Sequence, residues 1–206
     1  MGIKERRERE RQITRQAILT AALTIAKRDG WPALTIRKVG AEIEYSAPMV
    51  YEYFASKEAM LLELVREGFA QLNLAMQQAQ RSTATDSETR LFNVGWAYWT
   101  FALANPELYQ LMHGSSEVPL NKAVMVQAVQ KVAETVQTAL AEWAQDNTIA
   151  MKDSYGATEL FWCILHGFVT LHLFKRITGD DTRVHALLEH ALRSQMLAWK
   201  TTRVAV

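Results

Sequence analysis

The stretch that most constrains the fold runs from Thr35 to Lys57 and predicts two short helices joined by a tight turn. Thr35 is placed to cap the first helix, because its hydroxyl can accept a hydrogen bond from an unpaired amide of the first turn. Ser46 has the same position before the second helix, and Pro48 lies in that helix's first turn, where a missing N–H costs little. Two short helices at a steep angle, the second with few bulky charges, predict a helix-turn-helix that fits the major groove of DNA.

Composition limits the kind of protein that surrounds this motif. The 206 residues are 49% hydrophobic and 22% charged, which is typical of a globular, helix-rich chain with one large or two small domains. No apolar run is long enough to cross a bilayer, and the charged N-terminus does not resemble a secretory signal. Cys163 is the single cysteine, so an internal disulfide is excluded. These features predict a cytoplasmic protein without a membrane partner.

Charge is unevenly distributed along the chain. Residues 1–57 contain 11 Lys or Arg and 7 Asp or Glu, a balance of +4, whereas residues 58–206 contain 12 and 15, a balance of −3. A basic N-terminal segment is expected of a nucleic-acid-binding module, although an ordinary solvated surface would give the same count.

Apolar residues recur at steps of three and four along the rest of the chain, which is the spacing of amphipathic helices. The predicted long helices span about residues 13–29, 57–80, 87–104, 120–146, 154–178 and 181–201, with a short one over 106–113. No alternation that would predict a strand occurs in the sequence. Residues 1–12, in which Arg and Glu alternate, predict a frayed helical extension or a flexible arm. The sequence therefore predicts an all-α fold of about nine helices.

From Thr14 to about Val65 the sequence resembles the DNA-binding domain of the TetR family of bacterial transcriptional regulators. The most specific part of the match is the run YEYFASKE, which begins at Tyr51 and ends at Glu58. The other matching residues are Ile18, Ala21, Ala22, Gly30, Thr35, Ile36, Val39, Ser46 and Leu61. The resemblance implies a three-helix helix-turn-helix domain over residues 1–57. It also implies a larger helical domain for ligand binding and dimerisation over residues 58–206.

Three positions depart from the usual pattern of the family. Gly40 replaces the usual alanine, which would allow the two helices to approach closely at a cost of about 1 kcal/mol in helix propensity. Glu44 replaces the usual glycine of the turn, where a left-handed backbone would be mildly strained. Pro48 stands where the recognition helix often has glycine. These changes affect the geometry expected of the motif and not its presence.

The candidate DNA-contacting residues lie within or beside the predicted helix-turn-helix. They are Thr35, Lys38, Ser46, Ala47, Pro48, Met49, Tyr51 and Lys57. Ala47 and Met49 are short or flexible apolar groups that could meet thymine methyl groups in the major groove. The resemblance implies that Tyr51 and Lys57 hold phosphates, with help from the polar members of the set. The alternative for Tyr51 is a core aromatic, which is the role expected of Tyr53 and Phe54.

The second half of the chain resembles a TetR subgroup named for Trp, His and Gly, through Trp162, His166 and Gly167 and the segment 98–114. Aromatic residues at helical spacing with a few polar groups among them predict a ligand pocket, although each could be an ordinary core residue. The predicted lining residues are Trp96, Trp99, Tyr109, Met112, Phe161, Trp162 and His166. Such a lining favours a small apolar or aromatic effector.

The resemblance also implies that the last two long helices pair with their copies in a homodimer. The residues expected at this interface are Phe168, His172, Leu173, Leu188, Leu192 and Met196. A helix-turn-helix protein needs a second copy to reach a half-site about 34–36 Å away, so the predicted partner is an approximately palindromic operator in double-stranded DNA.

Metal and enzyme functions are weakly supported. His185 and Glu189 are four residues apart with His190 adjacent, but two ligands without a converging third seldom form a metal site. The segment that starts at His113 contains types suited to acyl transfer, namely Ser115, Ser116 and Glu117, without a nucleophile elbow. We therefore expect no catalysis, cofactor or metal. The leading prediction is a repressor released from its operator by a small effector. The alternative is a small-molecule or metal sensor whose DNA-binding head is secondary.

Overall fold

A computed structural model describes residues 2–83, 86–114 and 122–201 of the chain, so Ser115, Ser116 and Glu117 lie outside the described residues. These ranges contain nine α-helices, a short 3₁₀ segment over Trp31–Ala33 and no strand. The helices are α1 (Ile3–Asp29), α2 (Ile36–Glu42), α3 (Ala47–Tyr51), α4 (Lys57–Gln80), α5 (Ser87–Ala104), α6 (Pro106–Met112), α7 (Lys122–Asp146), α8 (Ser154–Leu173) and α9 (Asp181–Thr201). The predicted all-α fold is confirmed. No helix in the described ranges is long and apolar enough to span a membrane.

Helix α1 begins much earlier than residue 13, because the segment predicted as a frayed extension or an arm is helical from Ile3. The Glu5 carboxylate accepts a hydrogen bond from the Gly2 amide at 2.9 Å. Arg6 and Glu10 form an ion pair of 2.9 Å one turn apart. Pairs at this spacing each stabilise a helix slightly, so the alternating charges support the helical alternative.

Helix α8 ends at Leu173, five residues before the predicted end at 178. Lys175 has a φ of 54°, which is the left-handed backbone that ends many helices. The amide of Arg176 then donates to the carbonyl oxygen of Leu171 at 2.7 Å and closes the last turn. The apolar pattern continues past this point, and for that reason the sequence predicted a longer helix.

The chain forms two compact units, which divide it differently from the two predicted domains. The first comprises residues 1–68 and 107–126, and the second comprises residues 69–106 and 127–206. Helices α4 and α7 each contribute residues to both units. The boundary predicted after residue 57 separates a DNA-binding domain from a regulatory domain. It is a functional division, and it stays a prediction.

The core of the first unit lies among α1, α2, α3 and the start of α4. Its fully buried residues include Ile18, Leu19, Ala22, Ile25, Leu34, Val39, Val50, Met60 and Leu61. The indole N–H of Trp31 donates to the carbonyl oxygen of Glu107 at 3.0 Å, which ties the 3₁₀ segment to α6. Gly68 allows α4 and α6 to approach closely, since a Cβ there would lie 2.6 Å from the sulfur of Met112.

The core of the second unit is built from α5, α7, α8 and α9, and it includes three residues that were expected at the dimer interface. Leu188, Leu192 and Met196 are at most 3% exposed within the single chain. With Val184 they form the inward stripe of α9, at steps of four residues. They are core residues of their own chain and offer no surface to a second copy, which corrects that part of the expectation.

Candidate DNA-binding and effector sites

The turn between α2 and α3 depends on Gly40. The amide of Tyr45 donates to the Gly40 carbonyl oxygen at 2.8 Å, and Glu44 has a φ of 59°. A Cβ on residue 40 would lie 2.7 Å from the carbonyl oxygen of Tyr45 and 3.4 Å from the amide nitrogen of Ala47. The close approach expected from glycine at this position is therefore present, and so is the left-handed backbone expected at Glu44.

Helix α3 has one buried residue, and its other four are exposed or partly exposed. Val50 is fully buried and anchors the helix to the first unit, whereas the side chain of Tyr51 is 54% exposed. Ser46 has the extended backbone of an N-cap, but its hydroxyl makes no capping hydrogen bond. Thr35 does cap α2, because its Oγ1 accepts a hydrogen bond from the amide of Lys38 at 3.2 Å. The hydroxyl of Ser46 is consequently available to an external partner.

None of the eight candidate DNA-contacting residues is buried. Tyr51 is exposed and has no core role, whereas Phe54 is 4% exposed and lies under the guanidinium of Arg15 at 4.8 Å. Lys57 is partly exposed at the first turn of α4, where Ser56 accepts a hydrogen bond from the amide of Ala59 at 3.1 Å. Contact with DNA requires exposure: five of the eight residues are exposed, and Ala47, Met49 and Lys57 are partly exposed.

The predicted effector residues are divided between the two units. Trp96, Trp99, Phe161, Trp162 and His166 belong to the second unit. Tyr109 and Met112 belong to the first unit, where they are at most 2% exposed.

A polar group of three side chains lies within the second unit. The hydroxyl of Tyr98 is 3.5 Å from Nδ1 of His166, and the hydroxyl of Thr170 is 3.4 Å from its Nε2. Burial lowers the pKa of His166, which favours the neutral imidazole. Tyr98 was missed in the sequence because it lies among aromatic residues without a polar neighbour. Thr170 carried a signal, since it follows His166 by one helical turn.

Stability is expected to fall as the pH drops below about 6.5, the ordinary pKa of histidine. The folded chain holds the pKa of His166 below this value, so the unfolded chain binds a proton that the folded chain does not. Acid therefore favours unfolding from about pH 6.5 down to the folded pKa. Thermal unfolding between pH 8 and 5 should show a weaker pH dependence in His166→Gln than in the native protein.

The exposed His190 provides the control for this experiment. His190→Gln should keep the native pH dependence. Equal dependence in His166→Gln and the native protein would contradict the assignment to His166.

Two pairs of tryptophan and histidine rings connect α5 to α8 and α9. The rings of Trp96 and His185 are stacked with centroids 3.7 Å apart at 12°. The rings of Trp99 and His172 are 5.3 Å apart at 31°, and Nε2 of His172 is 2.8 Å from a carboxylate oxygen of Asp181. The His172 side chain is 15% exposed and already has these two partners within its own chain, and its place at the dimer interface stays a prediction.

Two of the three residues considered for a metal are engaged in other contacts. His185 is stacked on Trp96, and Glu189 accepts hydrogen bonds of 2.6 and 2.9 Å from Arg193. Within the described part of the chain, no group of three or more His, Cys, Asp or Glu side chains is arranged to hold a metal ion.

An apolar stripe is exposed along α8 and continues on α9. It follows residues 160, 164, 167 and 171 on α8 and residue 174 directly after it, at alternating steps of four and three. Leu160, Leu171 and Phe174 are 40–47% exposed. On α9, Leu187 is 37% and Leu197 is 62% exposed. Phe168 and Leu173, both expected at the dimer interface, are partly exposed.

A three-helix head with an exposed α3, on an all-α chain, defines a helix-turn-helix protein, and comparisons with known proteins specify the family. Residues 18–64 match the family model described as Bacterial regulatory proteins, tetR family. Residues 91–195, half of the chain, match the model described as Tetracyclin repressor-like, C-terminal domain. The chain belongs to the TetR family of transcriptional regulators. It is accordingly a DNA-binding regulator and not an enzyme.

Relatives of known sequence or structure agree with this assignment. An uncharacterized HTH-type transcriptional regulator of Mycobacterium tuberculosis is 26% identical over 180 residues, which cover 84% of this chain and 77% of the relative. A protein of unknown function from Rhodococcus sp. RHA1 has a TM-score of 0.75 and 25% identity, covering 87% and 94% of the two chains. The fatty acid degradation regulator FadR from Bacillus halodurans has the same fold, with a TM-score of 0.68, 20% identity and coverage of 84% and 93%.

Proposed function

We propose that the protein is a repressor that binds an approximately palindromic operator as a homodimer and is released by a small apolar or aromatic effector. The observation that carries the DNA-binding part is the outward face of α3 and its flanks. There, Ser46 and Tyr51 expose hydroxyl groups that have no role in holding the head together. Side chains of this kind are free to bind DNA at no cost to the fold.

The proposed contacts divide by chemistry. Ala47, Pro48 and Met49 at the start of α3 would face base edges, where apolar groups can distinguish thymine by its methyl group. Tyr51 and Lys57 would bind phosphates and so position the head without selecting sequence. Thr35, Lys38 and Ser46 would complete the phosphate contacts. Lys38 already lies 3.8 Å from Asp29, and we expect a smaller contribution from it.

The exposed stripe on α8 and α9 supports a second copy of the chain as its partner. Leu160, Leu171, Leu187 and Leu197 are large apolar side chains left in solvent, and their helical spacing suits the packing of two helices against their copies. Phe168 and Leu173 would lie at the margin of this interface. Two heads joined in this way could reach adjacent half-sites on one side of the DNA.

The aromatic residues and His166 of the second unit support effector binding. Trp99 and Phe161 are apolar walls, and the three-residue polar group of Tyr98, His166 and Thr170 offers hydrogen bonds within them. We include Trp96 and Trp162 of the same unit as further lining residues. Release from DNA requires that the effector bind the DNA-competent and DNA-incompetent states with different affinities. Helix α4, which contributes to both units, is the proposed link.

Lys57→Ala tests the phosphate contact. A double-stranded sequence selected from a random library by the native protein serves as the DNA. We expect weaker binding to all sequences, and a plot of log affinity against log salt that is shallower by about 0.9 for each lost phosphate contact. Affinity is measured by fluorescence anisotropy at several salt concentrations.

Lys27→Ala is the matched control, because Lys27 is an exposed lysine of the same unit that lies on α1. It should leave the salt dependence as in the native protein. An unchanged slope in Lys57→Ala would remove Lys57 from the DNA interface, and failure to select any DNA would overturn the proposed function.

A further inference from the structure

A polar cleft of about 630 Å³ lies between the C-terminal half of α4 and the middle of α7. Asn73, Gln77 and Arg81 line one side, and Lys131 and Thr135 line the other. Every lining residue belongs to the second unit. Binding sites for small molecules commonly have volumes of about 300–1,000 Å³, so the cleft is large enough for a metabolite.

The polarity of this cleft is unusual for two neighbouring helices. Helices normally turn apolar stripes toward the core, and each of these helices has buried apolar residues, such as Met76 on α4 and Val136 on α7, which are at most 3% exposed. Beside those stripes, polar residues recur at 73, 77 and 80 on α4 and at 131, 135, 138 and 142 on α7. Both sets follow helical spacing, so each forms a continuous polar line along its helix.

Internal hydrogen bonds orient part of this lining. The hydroxyl of Thr135, a residue only 5% exposed, donates to Oδ1 of Asn73 at 2.7 Å. This bond fixes the amide of Asn73 through its oxygen, and the described hydrogen bonds do not use its NH₂ group. The two carboxylates of the cleft accept hydrogen bonds from neutral glutamine amides, and Glu142 also lies 3.9 Å from Nε of Arg90. Glu142 accepts from Gln80 at 3.1 Å, and Glu134 accepts from Gln130 at 3.2 Å.

The two cations of the cleft, by contrast, have no partner of opposite charge among the described residues. Among the described residues, Arg81 and Lys131 form no ion pair, and the side chain of Gln77 forms no hydrogen bond. Among the described residues, the groups left without a partner are two positive charges and the amide donors of Asn73 and Gln77, and the carboxylate of Glu134 lies in the same cleft without an ion pair. A ligand with a negative charge and several acceptor oxygens would complement the cations and the amide donors.

We propose that the cleft between α4 and α7 binds a small organic anion, either a carboxylate or a phosphate ester. This site goes beyond the effector pocket proposed above, because the two share no lining residue. It belongs to the second unit alone and does not depend on contact with DNA.

Titration of the full-length protein without DNA tests this site. The probes are citrate, glucose 6-phosphate and inorganic phosphate, each at constant ionic strength set with sodium chloride. Isothermal calorimetry gives affinity, and ¹⁵N NMR of the side-chain amides of Asn73 and Gln77 gives location. We expect at least one organic anion to bind more tightly than inorganic phosphate and to shift both amides. Binding of citrate alone would identify a carboxylate, and binding of glucose 6-phosphate alone would identify a phosphate ester.

Variants assign the binding to the cleft. Arg81→Ala and Lys131→Ala should each weaken binding by about tenfold or more, because a hydrogen bond to a charged group is lost. Lys152→Ala is the control, since Lys152 is an exposed lysine of the same unit outside the cleft, and it should bind as the native protein does. The proposal is overturned if no probe shifts the amides, or if Arg81→Ala and Lys131→Ala bind as tightly as the control. Neither result bears on the proposed repressor, because no DNA is present.

Discussion

Gly40→Ala is expected to destabilise the DNA-binding head, although helix propensity alone would predict a gain of about 1 kcal/mol. The added methyl group would lie 2.7 Å from the carbonyl oxygen of Tyr45 and 3.3 Å from the carbonyl carbon of Ser46. Both are backbone atoms at the start of α3, so no side chain can rotate away. We expect the free energy of unfolding to fall by about 1–3 kcal/mol, as in overpacked cores. DNA affinity should fall as well, because α3 must shift.

Glu44→Gly, four residues away in the same turn, should instead raise the free energy of unfolding. Glu44 adopts a φ of 59°, which is costly for any residue with a Cβ and open to glycine. Urea denaturation monitored by circular dichroism compares the two variants directly. A Gly40→Ala protein more stable than the native protein would show that the close approach of α2 and α3 is not required.

Replacing both Leu160 and Leu171 by glutamate is expected to leave a folded monomer. Both side chains are at least 40% exposed on α8, so the chain itself loses little packing. In the proposed dimer they would bring like charges together in a buried seam, which is strongly unfavourable. Light scattering at micromolar concentration should give the mass of one chain. DNA affinity should fall by about 100-fold or more, because the two heads would no longer bind as a linked pair.

Tyr155→Glu provides the control for the dimer experiment. Tyr155 is 74% exposed at the start of α8, but it does not lie on the apolar stripe. This variant makes the same kind of change on the same helix and should remain a dimer. A Leu160→Glu, Leu171→Glu protein that stays dimeric with native DNA affinity would place the interface elsewhere.

The head could be predicted from the sequence because its determinants are local. Thr35 caps α2, Gly40 permits the turn, and Phe54 is buried, and each role follows from residue type and position. Helix caps and tight turns involve residues only a few positions apart, so both interacting residues can be identified in the sequence. The same holds for the helical period of the long helices.

The second unit was harder to predict because its main contacts join residues that are far apart in the sequence. Helix α9 carries two sets of apolar residues, and spacing alone does not show that Leu188 faces its own chain whereas Leu197 is exposed. The contacts of His172 with Trp99 and Asp181 likewise join three helices. Such pairings depend on how the helices pack and not on the pattern within any one of them.

The stacking of histidine on tryptophan has an optical consequence. An imidazole in contact with an indole, above all a protonated one, quenches its fluorescence, and Trp96 has such a neighbour in His185 at 3.7 Å. Trp99 has a second in His172. Any molecule that separates these rings would increase the emission of the protein. If the proposed effector separates these rings, tryptophan emission reports its binding without an attached dye.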